Sequence, residues 1–169
     1  MAHWTGYFDS SGAPRLKISI YGCARQFSKE FDVVVDTGFS GFVSMPIIEA
    51  FPLGLILCGT TTTILADGSQ SFKLTAVGTA FIEKEEQAGI ILLNVGSGPS
   101  DVLVGMEFLK TFRKTLFVHD QVVALLDTDE VNKWVSAAAL EASKLLSTAI
   151  PEPGLHEIQA ASLVSEAKE

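Results

Sequence analysis

Between Trp4 and Thr128 the apolar residues come in short runs rich in β-branched side chains, and Gly, Asp, Ser or Pro cuts each run off before it can make a long helix. The pattern specifies an all-β domain over residues 1–128. Strands are expected near residues 4–8, 16–21, 31–35, 60–65, 71–83, 90–95, 102–104, 116–119 and 122–126. Asp9-Ser10-Ser11-Gly12 and Asp67-Gly68-Ser69 should form hairpin tips, because Asp and Gly accept the left-handed backbone of tight turns. Two short helices fit among the strands. One begins at Pro46, whose fixed φ suits a first helical turn, and the other covers residues 106–112 directly after Gly105.

After Thr128 the period changes. Val131, Trp134, Val135, Ala138, Ala142, Leu145, Leu146 and Ala149 recur at three and four, and Asp127 with Glu130 makes a capping pair, so residues 129–150 read as an amphipathic helix. Pro151-Glu152-Pro153-Gly154 stops it. Residues 151–169 read as a linker and acidic tail, a weak second helix or a disordered segment. From Asp129 onward seven acids face three bases, which is half of the chain's net charge of −8. That acidity is read as a solvated face.

Twelve basic against twenty acidic residues, with no basic stripe, argue against nucleic acid or an anionic membrane as the main partner. The longest apolar runs, near residues 51–58 and 89–95, fall short of the roughly 18 residues a membrane helix needs. The first twelve residues lack the basic start and apolar stretch of a secretory signal, so a soluble, cytoplasmic protein is expected. Cys23 and Cys58 stand 35 positions apart, outside any CxxC pattern, and are expected as two buried small side chains. His3, His119 and His156 have no carboxylate or Cys at ligand spacing, so neither a metal nor another cofactor is expected.

The segment that carries chemistry runs from Phe31 to Phe42, where an apolar strand leads straight into Asp36-Thr37-Gly38 and a second glycine follows at Gly41. A strand buried on both faces would deliver the Asp36 carboxylate to the edge of the core on rigid backbone. Gly38 would let the chain turn sharply beside it, and the Thr37 hydroxyl could anchor the loop. By itself the triplet is weak, since Asp36 could simply cap a turn. A second segment changes this: Asp101-Val102-Leu103-Val104-Gly105-Met106-Glu107-Phe108-Leu109 repeats the strand-to-glycine pattern and enters a helix, with Gly105 standing 69 positions after Asp36.

With these two segments, and an Ala66-Asp67-Gly68-Ser69 hairpin tip between them, residues 4–128 resemble the retropepsin-like aspartic proteases, in particular prokaryotic and retroelement members of clan AA with DTGF-type and LGMDFL-type motifs. The resemblance implies a small closed acid-protease barrel with one or two short helices, here followed by a helical extension. It implies Asp36 as the catalytic carboxylate and Thr37 and Gly38 as the active-site loop, Thr37 bonding across a dimer axis. Ala66, Asp67 and Gly68 would form a flap, and Gly105 would support the loop. Phe39 replaces the small residue that follows DTG in retroviral enzymes, and its bulk would narrow the specificity pockets or stiffen the loop. Only one DTG is present, so such an enzyme would be a homodimer acting on a polypeptide substrate, without a cofactor. The retroviral dimer is made by interleaved C-terminal strands, whereas about 40 residues follow the domain here, which leaves the dimer geometry open.

Other active-site patterns fail on spacing. Gly38-Phe39-Ser40-Gly41-Phe42 lacks the last glycine of a serine-hydrolase elbow, and Gly96-Ser97-Gly98 lacks the third glycine and the helix of a dinucleotide fingerprint. The expected function is therefore aspartic endopeptidase. The alternative is a noncatalytic peptide-binding module that keeps the barrel and its groove.

Overall fold

The computed structural model describes residues 3–64, 68, 70–95 and 101–149, with side chains as far as residue 145. Ten strands among these residues form one sheet: β1 (His3–Phe8), β2 (Pro14–Tyr21), β3 (Ser28–Val35), β4 (Val43–Pro46), β5 (Ile56–Ile64), β6 (Gln70–Ile82), β7 (Glu85–Asn94), β8 (Leu103–Val104), β9 (Lys114–His119) and β10 (Val122–Asp127). The helices are α1 (Ile47–Ala50), followed by a tight turn over Phe51–Leu53, α2 (Met106–Thr111) and α3 (Thr128–Ala149).

Strand order is β5-β6-β7-β4-β8-β3-β2-β1-β10-β9, and β6 pairs a second time with β2 through Ser19–Phe81, Ile20–Ala80 and Tyr21–Thr79. That second pairing closes β6, β7, β4, β8, β3 and β2 into a ring, a small barrel. The hairpin partner β5 and the trio β1–β10–β9 extend from it. Alternation explains the inward faces: Leu16, Ile18 and Ile20 on β2 are buried while Lys17 is exposed. On β3 Phe31, Val33 and Val35 point inward, whereas Glu30 and Asp32 face water and Val34 is half-buried. β3 is thus covered mainly on one face, not on both as its Val-Val-Val run suggests. The exposed Asp32 accepts a hydrogen bond from the Tyr7 hydroxyl.

The Asp9 turn forms the expected tip between β1 and β2. Its carboxylate takes the Ser11 amide at 2.8 Å, the Ala13 amide at 3.0 Å and the Ser11 hydroxyl at 2.6 Å, and Gly12 adopts φ +82°. Sequence periodicity misses β4, four fully buried residues between Gly41 and α1. Cys23 and Cys58 are both exposed and free, contrary to expectation. Cys58 lies on β5, where nearly every residue faces solvent because, among the described residues, β6 alone pairs with that strand. Residues 151–169 lie outside the described residues.

Contacts group the chain into two units, Met1–Asp129 and Glu130–Glu169. In the second, α3 exposes Trp134, Val135, Leu140 and Leu145. Among the described residues no helix is long and apolar enough to cross a membrane.

Candidate active site

Asp36 stands where β3 leaves the sheet. β3 pairs in parallel with β8, Val34 opposite Leu103 and Val35 opposite Val104, and the Asp36 amide donates to the Val104 carbonyl at 2.9 Å. β8 also pairs antiparallel with β4, Val43 opposite Val104. Residues 36–42 therefore bridge the two strands that flank β8, and a two-residue strand from far along the chain holds both ends of the loop.

The start of α2 grips its middle. A helix leaves its first amides without partners, and here the Met106 amide donates to the Phe39 carbonyl at 2.8 Å and the Glu107 amide to the Ser40 carbonyl at 3.2 Å. The Gly105 amide donates to the Phe42 carbonyl at 3.2 Å. A Cβ on Gly105 would fall 2.2 Å from the Phe39 carbonyl oxygen and 2.5 Å from that of Gly41, so this approach requires glycine. Gly105 has no side chain to cap the helix, and the loop's own carbonyls take over that role.

Within the loop the Gly38 amide donates to Asp36 Oδ1 at 2.8 Å and the Phe39 amide to the Asp36 carbonyl at 3.2 Å. Gly38 turns the chain without entering the left-handed region. Asp36 is half-buried, and among the described residues no donor reaches its Oδ2. Thr37 and Gly38 are exposed. The Phe39 ring folds back, so that a Cβ on Gly41 would lie 2.5 Å from its Cζ and one on Gly105 2.7 Å from its Cδ1. Its bulk is used to fill the inside of the loop.

Behind the loop lies an aromatic cluster that sequence reasoning did not single out. Phe42 meets Phe108 at 5.5 Å between ring centroids, Phe108 meets Phe112 at 4.6 Å, and Phe112 meets Trp4 edge-on at 5.1 Å. The i, i+4 spacing of Phe108 and Phe112 was the available signal. Gly89 permits the packing, since a Cβ there would lie 2.3 Å from the Phe42 ring. Trp4 also lies under the Lys114 ammonium, 4.5 Å from its ring centroid.

Arg15 links the β1–β2 turn to the segment entering β8. Its guanidinium reaches Asp9 at 2.6 Å and Asp101 at 2.9 Å. These hydrogen bonds, that to Asp9 first, raise Arg15 above its ordinary value. The Ser11 hydroxyl and then Arg15 hold the Asp9 carboxyl well below the usual range.

β5 and β6 form a long hairpin paired from Ile56–Val77 to Ile64–Gln70, with Gly68 at φ +80° in the tip. Ala66 and Asp67, expected beside it, lie outside the described residues. Ile47, Ala50, Phe51, Leu55, Leu57 and Leu93 line an apolar cavity of about 130 Å³ at the hairpin's base. Among the described residues no three His, Cys, Asp or Glu side chains gather as a metal-ligand set.

Neither a protein-family model nor a curated protein matches the chain. Solved structures give two matching chains. One is a retropepsin-like aspartic protease from Rickettsia conorii. It is 17% identical, the match covers 73% of this chain and 90% of that one, and the TM-score is 0.49.

Proposed function

We propose that the chain is an aspartic endopeptidase whose catalytic pair consists of Asp36 from two copies. The observation that supports this best is a DTG loop braced at both ends by β8 and in its middle by α2, carrying a half-buried carboxylate with one oxygen uncommitted. A single carboxylate has no partner with which to divide acid and base roles, and one DTG per chain makes a second copy the natural source. Two carboxylates held close together share one proton. The ionised member takes a proton from a bound water, whose oxygen attacks the scissile carbonyl carbon. The protonated member donates its proton to the carbonyl oxygen; as the C–N bond breaks, the carboxyl that took the water's proton passes it to the departing nitrogen, and the other carboxylate takes its proton back as the carbonyl re-forms.

The remaining loop residues take supporting roles. Thr37, exposed beside Asp36, bonds across the two-fold axis, while Gly38 leaves its carbonyl for substrate. The β5–β6 hairpin closes over an extended polypeptide, which binds as an added strand. The enzyme is cytoplasmic and requires no cofactor.

The test is Asp36→Asn in the full chain, assayed on a peptide library by mass spectrometry, with the oligomeric state followed by sedimentation. Cleavage should fall by at least about 10²-fold, the ordinary range for loss of a general base, with the fold retained. Undiminished cleavage by the pure variant defeats the assignment. A wild-type protein that binds peptides but cleaves none between acidic and neutral pH favours the noncatalytic module.

A further inference from the structure

Ladder register carries one row of side chains across six strands. Arg15 on β2 stands opposite Val34 on β3, Val34 opposite Leu103 on β8, Leu103 opposite Ser44 on β4, Ser44 opposite Leu92 on β7, and Leu92 opposite Thr75 on β6. Residues directly opposite share a face. The neighbouring row, with Val35, Val104 and Val43, is buried in the core, so this row faces away from it. Val34, Leu103 and Leu92 are accordingly half-buried and stand outside the core cluster. Asp36 follows Val34 by two residues and its amide extends the same ladder, which puts its carboxylate on this face.

Ser44 is the polar side chain of β4, set between the half-buried Leu103 and Leu92 and itself buried. Asn94, two residues past Leu92, donates through Nδ2 to the Ser44 Oγ at 3.1 Å. That leaves the Ser44 hydroxyl proton and the Asn94 Oδ1 without a partner among the described residues. Turning the amide over exchanges the roles but leaves the pair the same two capacities, one donor and one acceptor. Polar groups held in an apolar row gain most from a ligand group that fills both.

We propose, resting on the peptide-binding reading above, that Ser44 and Asn94 select a carboxamide side chain, Asn or Gln, in the bound polypeptide. A carboxamide carries a donor and an acceptor side by side, so its N–H meets Asn94 Oδ1 while its oxygen takes the Ser44 proton. Its methylene stem lies along Leu92 and Leu103. An apolar side chain at the same place leaves both polar groups unpaired, and the site discriminates against it. A charged side chain finds no counter-ion along the row among the described residues, because Arg15 is held by Asp9 at 2.6 Å and by Asp101 at 2.9 Å. Strand spacing and rise set Ser44 about 12 Å from Asp36, a span of about four residues of extended peptide.

The test sets one random peptide library against the full chain in two ways, with cleaved and bound peptides both read by mass spectrometry. Wild type should cleave peptides that carry Asn or Gln at one position within about four residues of the cut, favoured at least about tenfold over Met, Leu and Glu. Asn94→Leu should move that preference to Met and Leu through KM, with kcat on the best peptides kept, and Ser44→Ala, which removes a single oxygen, should weaken it. The library retained by Asp36→Asn should be enriched in the same side chains, and Asp36→Asn combined with Asn94→Leu should lose the enrichment. Circular dichroism checks the fold, and Ser44→Ala decides alone if Asn94→Leu unfolds. A preference absent from wild type, or one that survives in the folded variants, overturns the specificity site even where cleavage is vigorous. If nothing is cleaved but the retained peptides carry the enrichment and lose it with Asn94→Leu, the site stands and the catalytic reading fails. If no peptide is cleaved or retained, both are overturned.

Discussion

Replacing Gly105 by alanine tests the claim that α2 holds the Asp36 loop. The new Cβ would sit 2.2 Å from the Phe39 carbonyl oxygen and 2.5 Å from the Gly41 carbonyl oxygen, both backbone atoms of the loop. To reach ordinary contact each must retreat by roughly 1 Å, since side-chain carbons rarely approach closer than about 3.4 Å. The Phe39 carbonyl also accepts the Met106 amide at 2.8 Å, and a retreat of that size breaks this bond. Overpacking costs about 1–3 kcal/mol and the lost bond about 1 kcal/mol, together about 2–4 kcal/mol. For a domain of this size that is a fall of roughly 10 °C in unfolding temperature, read by circular dichroism. A fall of under about 2 °C would mean that the loop yields freely and would refute the bracing argument. The peptidase activity proposed above should drop in Gly105→Ala even at temperatures where the variant is fully folded, because the displaced residues adjoin Asp36.

Two pH dependences follow from ion pairs outside the site. Burial pulls the Lys114 ammonium down, but hydrogen bonds to Asp127 and Glu85 outweigh it and leave the group above the ordinary lysine value. Its contribution is therefore fully present below the unfolded value near 10.4 and is lost as pH rises through the higher folded value; urea midpoints should decline in that window, and less steeply in Lys114→Met. For Asp9 the sign is opposite. Its lowered carboxyl stabilises the fold above the unfolded value near 3.9, and that contribution disappears as pH falls towards the folded value. The stability gap between wild type and Asp9→Asn should therefore close in acid, and a gap independent of pH would contradict this.

Most of the all-β pattern could be read directly, because strands such as β2 alternate cleanly between Leu16, Lys17 and Ile18. β4 could not, since a strand buried on both faces has no alternation to display and Val43-Ser44-Met45-Pro46 resembles loop. The opposite error arose at β3: Val33-Val34-Val35 looks buried throughout, but Asp32 and Glu30 give away an open face. Exposure of Cys58 depends on β5 having, among the described residues, a strand on one side only, which is a property of topology and not of the residue. At the site, Asp36-Thr37-Gly38 and Gly105 were visible as motifs. The resemblance already implied that Gly105 supports the loop, but the atoms that carry this contact were not legible, because the Phe39 and Ser40 carbonyls act through backbone, which has no sequence signature. For Phe39 the sequence left two readings, a narrowed pocket or a stiffened loop, and the geometry shows its ring resting on Gly41 inside the loop.

The dependence of the loop on β8 has a consequence for how the molecule comes into being. The amide of Asp36 finds its acceptor on Val104, and the loop's carbonyls find their donors on residues 105–107. A ribosome has to deliver some seventy further residues before that geometry can exist, so a nascent or truncated chain ending short of α2 carries the aspartate without the setting it needs. Maturation of the carboxylate is thereby timed by chain length itself.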